Sequence, residues 1–534
     1  MSRLRNIFGC DIRSLAVFRI ALAFLLLYDV VDRFPHAEAF YSDSGFFSTE
    51  YAKAESPYGF SLNFLSGSVA YQQGIFVALG IAATALAFGC FTRTATLICW
   101  VLLVSIHVRN QFVLIGGDTL LRMLLFWSLF IPLGKAWSID QWRKTEQPTS
   151  KKSKKKKKQA QAKPMLLATA GTACLIIQVA IMYWCAGVSK LTEPWLDGTS
   201  MEYVLRLDLY VRPFGEWSLG HPWILSAITY STLVVELLFP FLLFLPFWTN
   251  RFRLLTILVF LGLHIGIEMA LDVGNFGMVS MVSWIPLIPG CVWNCCCCCR
   301  PKVTKKRSGD SSEPEVVAIG TPEKQNRFAF VLQAIVPIFF LVYIMIWNYY
   351  GLYVIYGKQW RPELPESFFR VGWTTMTAQN FQMFGDPPRY NPTYVFSGRT
   401  RRGYEIDLIR NQNAEDSRPD REKKNPVSEE WKKLHRFLLR HPGNQKFHQA
   451  LLEYYTKVWN DNHGDREQVT ESKLECYYEP IGPEYQEGDY VRRPDLATWN
   501  APEEAIEDNV KKTDEEIIDD VDAFFKGLNQ SPIK

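Results

Sequence analysis

The sequence predicts an all-α polytopic membrane helix bundle of about nine spans with a C-terminal extracytoplasmic α+β soluble domain. Three observations carry this. Long apolar runs fill the first two thirds of the 534 residues. The main clusters of Lys and Arg in the loops between them fall on one side if every run crosses, with few exceptions such as Arg33 and Arg109. Beyond residue 357 the chain turns polar, with strand and helix periodicities.

The apolar runs are residues 15–31, 71–90, 95–108, 119–133, 165–188, 223–247, 254–271, 276–293 and 328–356. Each is long enough, or nearly so, to cross about 30 Å of hydrocarbon; the third and fourth are short. Arg3, Arg5 and Arg13 precede the first run, and Arg93 follows the second. Eight lysines lie between Lys151 and Lys163. Arg251, Arg253, Arg300, Lys302, Lys305, Lys306 and Arg307 complete the set. The expected orientation is N-terminus cytoplasmic and C-terminus extracytoplasmic.

The expected divisions are a transmembrane domain at 1–293, a cytoplasmic Cys-run and basic linker at 294–327, and a last transmembrane helix at 328–357. A soluble domain at 358–500 and an acidic tail at 501–534 follow. In the soluble domain, 393–398 and 403–409 alternate apolar and polar around an Arg-rich turn, which predicts a hairpin. Residues 428–440 and 444–459 predict amphipathic helices, and 468–478 a further strand.

Composition excludes several classes. The net charge of +4 and a lysine run without interleaved aromatics argue against nucleic acid. Of the 12 cysteines, Cys10 precedes the first run, five lie in apolar runs and five mass at Cys295–Cys299, with only Cys476 in the polar C-terminal region, so no disulfide framework is expected. Five adjacent thiols cannot surround one tetrahedral ion, so that run is not a metal site. The first run lacks a small-residue cleavage site. Nothing resembles a P-loop, a dinucleotide fingerprint, a nucleophile elbow or a zinc motif. No repeat relates the halves, which disfavours a transporter.

Ionisable groups inside apolar spans are expensive, and each is a functional candidate. Here they include Arg19, Asp29, His107, Arg109, Asp118, Arg122, Glu236, His264 and Glu268. Arg19, Arg122, Glu236 and Glu268 read equally as structural ion bridges between helices. Asp118 with Arg122, and His264 with Glu268, stand at i, i+4 and can satisfy each other. No second His stands at metal-ligand spacing from His264. Lys190 ends the fifth run. It is either a snorkelling anchor beside Trp184 and Trp195 or a desolvated amine able to act as a base.

The run Gly187-Val188-Ser189-Lys190-Leu191, followed by Trp195, Gly198, Ser200 and Met201, resembles a segment of the vitamin K-dependent γ-carboxylase family. It is equally similar to that family's bacterial relatives, which share the HTTM (horizontally transferred transmembrane) domain. Residues 11–20, 33–45, 116–122, 263–265 and 275–278 resemble further HTTM blocks in the same order, and 379–388 resembles a block from the C-terminal part of bacterial HTTM proteins. The resemblance places the carboxylase base, which acts on a reduced quinone, at Lys190. It puts one carboxylase histidine at His264 and another at Asp118, and walls a quinol pocket with Tyr183, Trp184 and Trp195. The implied substrate is a quinol of the vitamin K hydroquinone type. The implied setting is a bacterial plasma membrane, and an extracytoplasmic protein or peptide is the implied partner. The departures, Asp for His at 118 and a short polar region without a carboxylase match, put glutamate carboxylation in question. A membrane scaffold or transporter with an external partner-binding domain is the competing reading.

Overall fold

A computed structural model of the chain describes residues 2–146, 165–295, 331–356, 363–414, 429–440, 444–483 and 491–501. The lysine run at 151–163, most of the Cys295–Cys299 run and the acidic tail lie outside these.

Among the described residues, six helical segments are long and apolar enough to cross a membrane: Ile12–Tyr41, Val69–Phe88, Ala170–Ser189, Pro222–Phe244, Thr249–Ala270 and Gln333–Leu352. The main helices are α1 Ile12–Arg33, α2 Val69–Phe88, α3 Thr92–Arg109, α4 Gly116–Ser128, α5 Ala170–Ser189, α6 Pro222–Leu238, α7 Thr249–Ala270, α8 Phe276–Ser283 and α9 Val336–Tyr356. The expected nine spans are thus six by length and apolarity. The third run forms α3, whose last turns are buried throughout and carry His107 and Arg109. The fourth forms α4, only 13 residues long and almost wholly buried. At 1.5 Å per residue it reaches about 20 Å, well short of a bilayer core. The eighth breaks after α8 at Pro286, whose ring cannot continue a helix.

The ends of these segments gather at two faces. At the first face, β1 Cys10–Asp11 pairs with β2 Leu166–Leu167. Ser14 Oγ donates to Ile288 O at 2.7 Å, and Arg253 donates to Gly9 O and Ile7 O. Arg19, expected to bridge to a carboxylate, instead donates to four carbonyls: Ala87, Leu133, Ala136 and Trp137. These belong to helix ends and turns, where carbonyls lack intrahelical donors. At the opposite face lie Arg33, Arg109, Asn110 and Asp272, and there the C-terminal region docks.

That region contains a five-stranded antiparallel sheet in the order β5-β4-β3-β6-β7. Its strands are β3 Tyr390–Thr400, β4 Glu405–Asp407, β5 Gln412–Asn413, β6 Val469–Pro480 and β7 Val491–Asn500. The expected hairpin is β3–β4, with Ser397 opposite Asp407, and the expected strand is β6. The two amphipathic helices are α10 Glu429–Arg440 and α11 Gln445–Asn462. α11 lies on the sheet, with Phe396 against Tyr455, and its Phe447 reaches Phe46 and Phe112 of the bundle.

α10 carries the polar half of the docking. Lys433 bonds Asp32 at 2.9 Å, while Lys432 and Arg436 both reach Asp272 just beyond α7. Burial alone would raise the Asp272 pKa. The Lys432 hydrogen bond, the charges of Arg436 and Lys432 and the Gly274 N–H together hold it below the usual carboxylate range. A carboxyl whose folded pKa lies below its unfolded value near 4 contributes stability above that value and loses it as pH falls through the folded pKa. Protection of the amides along residues 429–440, measured against their intrinsic exchange rates at each pH, is therefore expected to be high at neutral pH and to fall below about pH 4. Asp272→Asn is expected to show the lower protection already at pH 7; protection like wild type in that variant would rule out the docking role.

Candidate functional site

A cavity of about 910 Å³ opens between α5, α6, α7 and the segment at 380–388. Its wall is mostly apolar, with a few convergent polar groups, which is the usual make-up of a ligand site. Lys190, Glu236, His264, Tyr183 and Trp195 all line it.

Sequence places these groups as follows. Thr169 caps α5 through a reciprocal pair with Thr172, and the helix then runs 20 residues to its C-cap, Lys190. A Cβ on Gly187 would stand 3.2 Å from that of Glu236, so glycine lets α5 and α6 approach closely at this level. The Lys190 ammonium meets the Glu236 carboxylate at 2.8 Å, with the two residues only 4 % and 7 % exposed. Lys190 Nζ also stands 5.3 Å from the centre of the Trp195 ring. Lys190 is therefore neither a free amine nor a surface anchor but half of a buried ion pair. Glu236, expected as a structural bridge between helices, is its partner.

His264, 1 % exposed, meets Tyr183 Oη at 2.6 Å through Nε2. Tyr183 Oη in turn accepts from Trp284 Nε1 at 3.0 Å. The tyrosine hydroxyl has a proton and a second lone pair besides, so the Nε2 contact is compatible with either imidazole tautomer. Nδ1 has no hydrogen-bond partner in the structure. The expected pairing of His264 with Glu268 does not form. Glu268 turns to Arg212, 3.4 Å away, and Arg212 also donates to the Glu268 carbonyl.

Two expected site residues stand apart from the cavity. Trp184 packs against Phe241 and Phe244, because adjacent helical positions point about 100° apart and Tyr183 takes the inward one. Asp118 caps α4 through Ile115 N and pairs with Arg33 at 2.8 Å. Its expected partner Arg122 bonds His107 Nδ1 and Met376 O instead. Asp118 thus belongs to a buried cluster with Arg33, Asp29, Tyr41 and Asn275.

The roof was not expected. Asn380, Gln382, Phe384 and Asp386 line the cavity, although this segment follows the last apolar helix. Trp195 Nε1 donates to Phe384 O at 2.7 Å, and Thr192 Oγ1 to Gly385 O at 2.8 Å. A Cβ on Gly385 would come within 2.8 Å of Ser189 O, so only glycine fits there. The resemblance of 379–388 to an HTTM block was the available signal, but nothing in its pattern tied it to Lys190.

Six membrane-length apolar helices among the described residues, three of which wall the cavity, make this an integral membrane protein. Residues 9–289, more than half of the chain, match the family model of the HTTM domain, and the chain belongs to that family. No curated protein and no solved structure matches it.

Proposed function

We propose that the cavity binds a lipid-soluble substrate with an acidic hydroxyl, of the quinol type, and that Lys190 and Glu236 together take up its proton. The observation that carries this is the buried Lys190–Glu236 pair on the wall of a mostly apolar cavity. The Lys190 ammonium passes a proton across 2.8 Å to the Glu236 carboxylate. The amine then takes the hydroxyl proton, breaking the O–H bond and forming N–H. The products are a substrate oxyanion, an ammonium beside it and a neutral carboxylic acid. Net charge in the cavity is unchanged, which suits a low-dielectric site. His264, oriented by Tyr183, offers its Nδ1 to the substrate hydroxyl, and the Trp195 ring helps exclude water.

The carboxylase likeness of the Lys190 segment supports a reaction of that class. Loop charges support a cytoplasmic N-terminus and an external sheet region, and the likeness to bacterial HTTM proteins supports a plasma membrane of bacterial type. The external region would then be where a protein or peptide partner docks.

Turnover of a reduced naphthoquinone with oxygen, in nanodiscs, tests the reading. Lys190→Ala is expected to lower turnover by about 10²–10⁴-fold, the usual worth of a positioned acid–base group, with quinol binding changed little. His264→Ala is expected to lower turnover as well. The pairing itself favours a second reading: an ammonium neutralised by Glu236 is a good binding group and a poor free base. Wild type that binds quinol without turning it over, and binds more weakly as Lys190→Ala, would select binding alone.

A further inference from the structure

On the same reading of the cavity, we propose that its ligand carries a long apolar tail and passes sideways from the bilayer through a slot between α6 and α7. Both helices are apolar enough to cross a membrane and leave most of their surface uncovered. Gly262 and Gly266 of α7 and Ser231 of α6 line the cavity and are at the same time exposed. The two glycines stand at i, i+4, on one face of α7, and a Cβ on either would meet nothing within 4 Å. Space is therefore left open along this face where other residues would fill it. Ile228 and Val235 of α6, with Val259 and Leu263 of α7, complete an apolar margin. His264, two residues from each glycine and so on the opposite, buried side of α7, contributes the unpartnered Nδ1 to the same cavity. The arrangement suits one class of occupant: a single-tailed amphiphile whose hydroxyl-bearing head meets His264 and the Lys190–Glu236 pair while its tail lies in the slot.

The test is photolabelling by octadecanol with a terminal diazirine, incorporated into nanodiscs holding the full chain. Wild type is expected to be labelled on the cavity margins of α6 and α7, with labelling competed by octadecanol and not by hexanol. Gly262→Phe and Gly266→Phe are expected to lower that labelling about tenfold, equivalent to roughly two methylenes of lost burial. Gly262→Ala and Gly266→Ala should leave it unchanged. The phenylalanine variants fill open space and should melt no lower than wild type; Ser231→Trp closes the slot from the other wall should either fail to fold. Labelling spread over the outer surface, or left intact by all three large substitutions, overturns the proposal. Because labelling needs no turnover, an inactive protein that still labels in the slot would sink the quinol chemistry and leave the slot standing.

Discussion

Glu236→Gln will destabilise the protein by about 3–5 kcal/mol, the usual cost of removing one partner from a buried ion pair. The substitution keeps shape and hydrogen-bonding capacity and deletes only charge, leaving the Lys190 ammonium 4 % exposed without its counter-ion. The double variant Lys190→Met with Glu236→Leu should recover most of the loss, because an apolar pair of similar volume needs no desolvation of charge. Equilibrium unfolding in mixed micelles, arranged as a double-mutant cycle, measures both. The double variant should nevertheless be inactive toward quinol, which separates stability from chemistry. A Glu236→Gln protein as stable as wild type would mean that Lys190 is not held as an ammonium by this carboxylate.

Arg33→Met should have a larger effect, at the level of folded yield. Arg33 is fully buried and donates to Asp29 at 2.9 Å, Tyr41 Oη at 2.6 Å and Asp118 at 2.8 Å. Its loss strands two carboxylates that share one cation, a charge state that a buried site tolerates poorly. Arg33→Lys keeps the charge but not the planar fork, so only partial recovery is expected. Adding Asp29→Asn and Asp118→Asn to Arg33→Met should restore the monodisperse peak in size-exclusion chromatography. A monodisperse, normally melting Arg33→Met would show that the cluster is not what joins α1 to α4.

Much of this was readable in the chain because apolar length and period-two alternation are local signals. They located every apolar run and the β3–β4 hairpin. What failed was pairing across space. The i, i+4 rule paired Asp118 with Arg122 and His264 with Glu268, yet each found a partner on another element, since buried charges take whichever partner packing delivers. Lys190 and His264 were singled out by likeness, and both line the cavity; Glu236 was named as an intramembrane charge without its partner. Trp184 was misplaced by one helical position. The third, fourth and eighth runs, which form α3, α4 and α8, read as spans because apolar composition does not distinguish a helix buried in protein from one buried in lipid.

The roof over the cavity has a consequence in time. Trp195 and Phe384, which close it, are 189 residues apart in the chain. At about 5–20 residues per second, roughly ten to forty seconds separate their synthesis. Once Ala270 is made, Phe384 still lies 114 residues ahead, and in that remaining time α5, α6 and α7 can assemble while the charged pair faces an unroofed pocket. The nascent protein thus passes through a stage in which its site is open to water, lipid or a chaperone, and the ligand itself could be loaded before the lid is made.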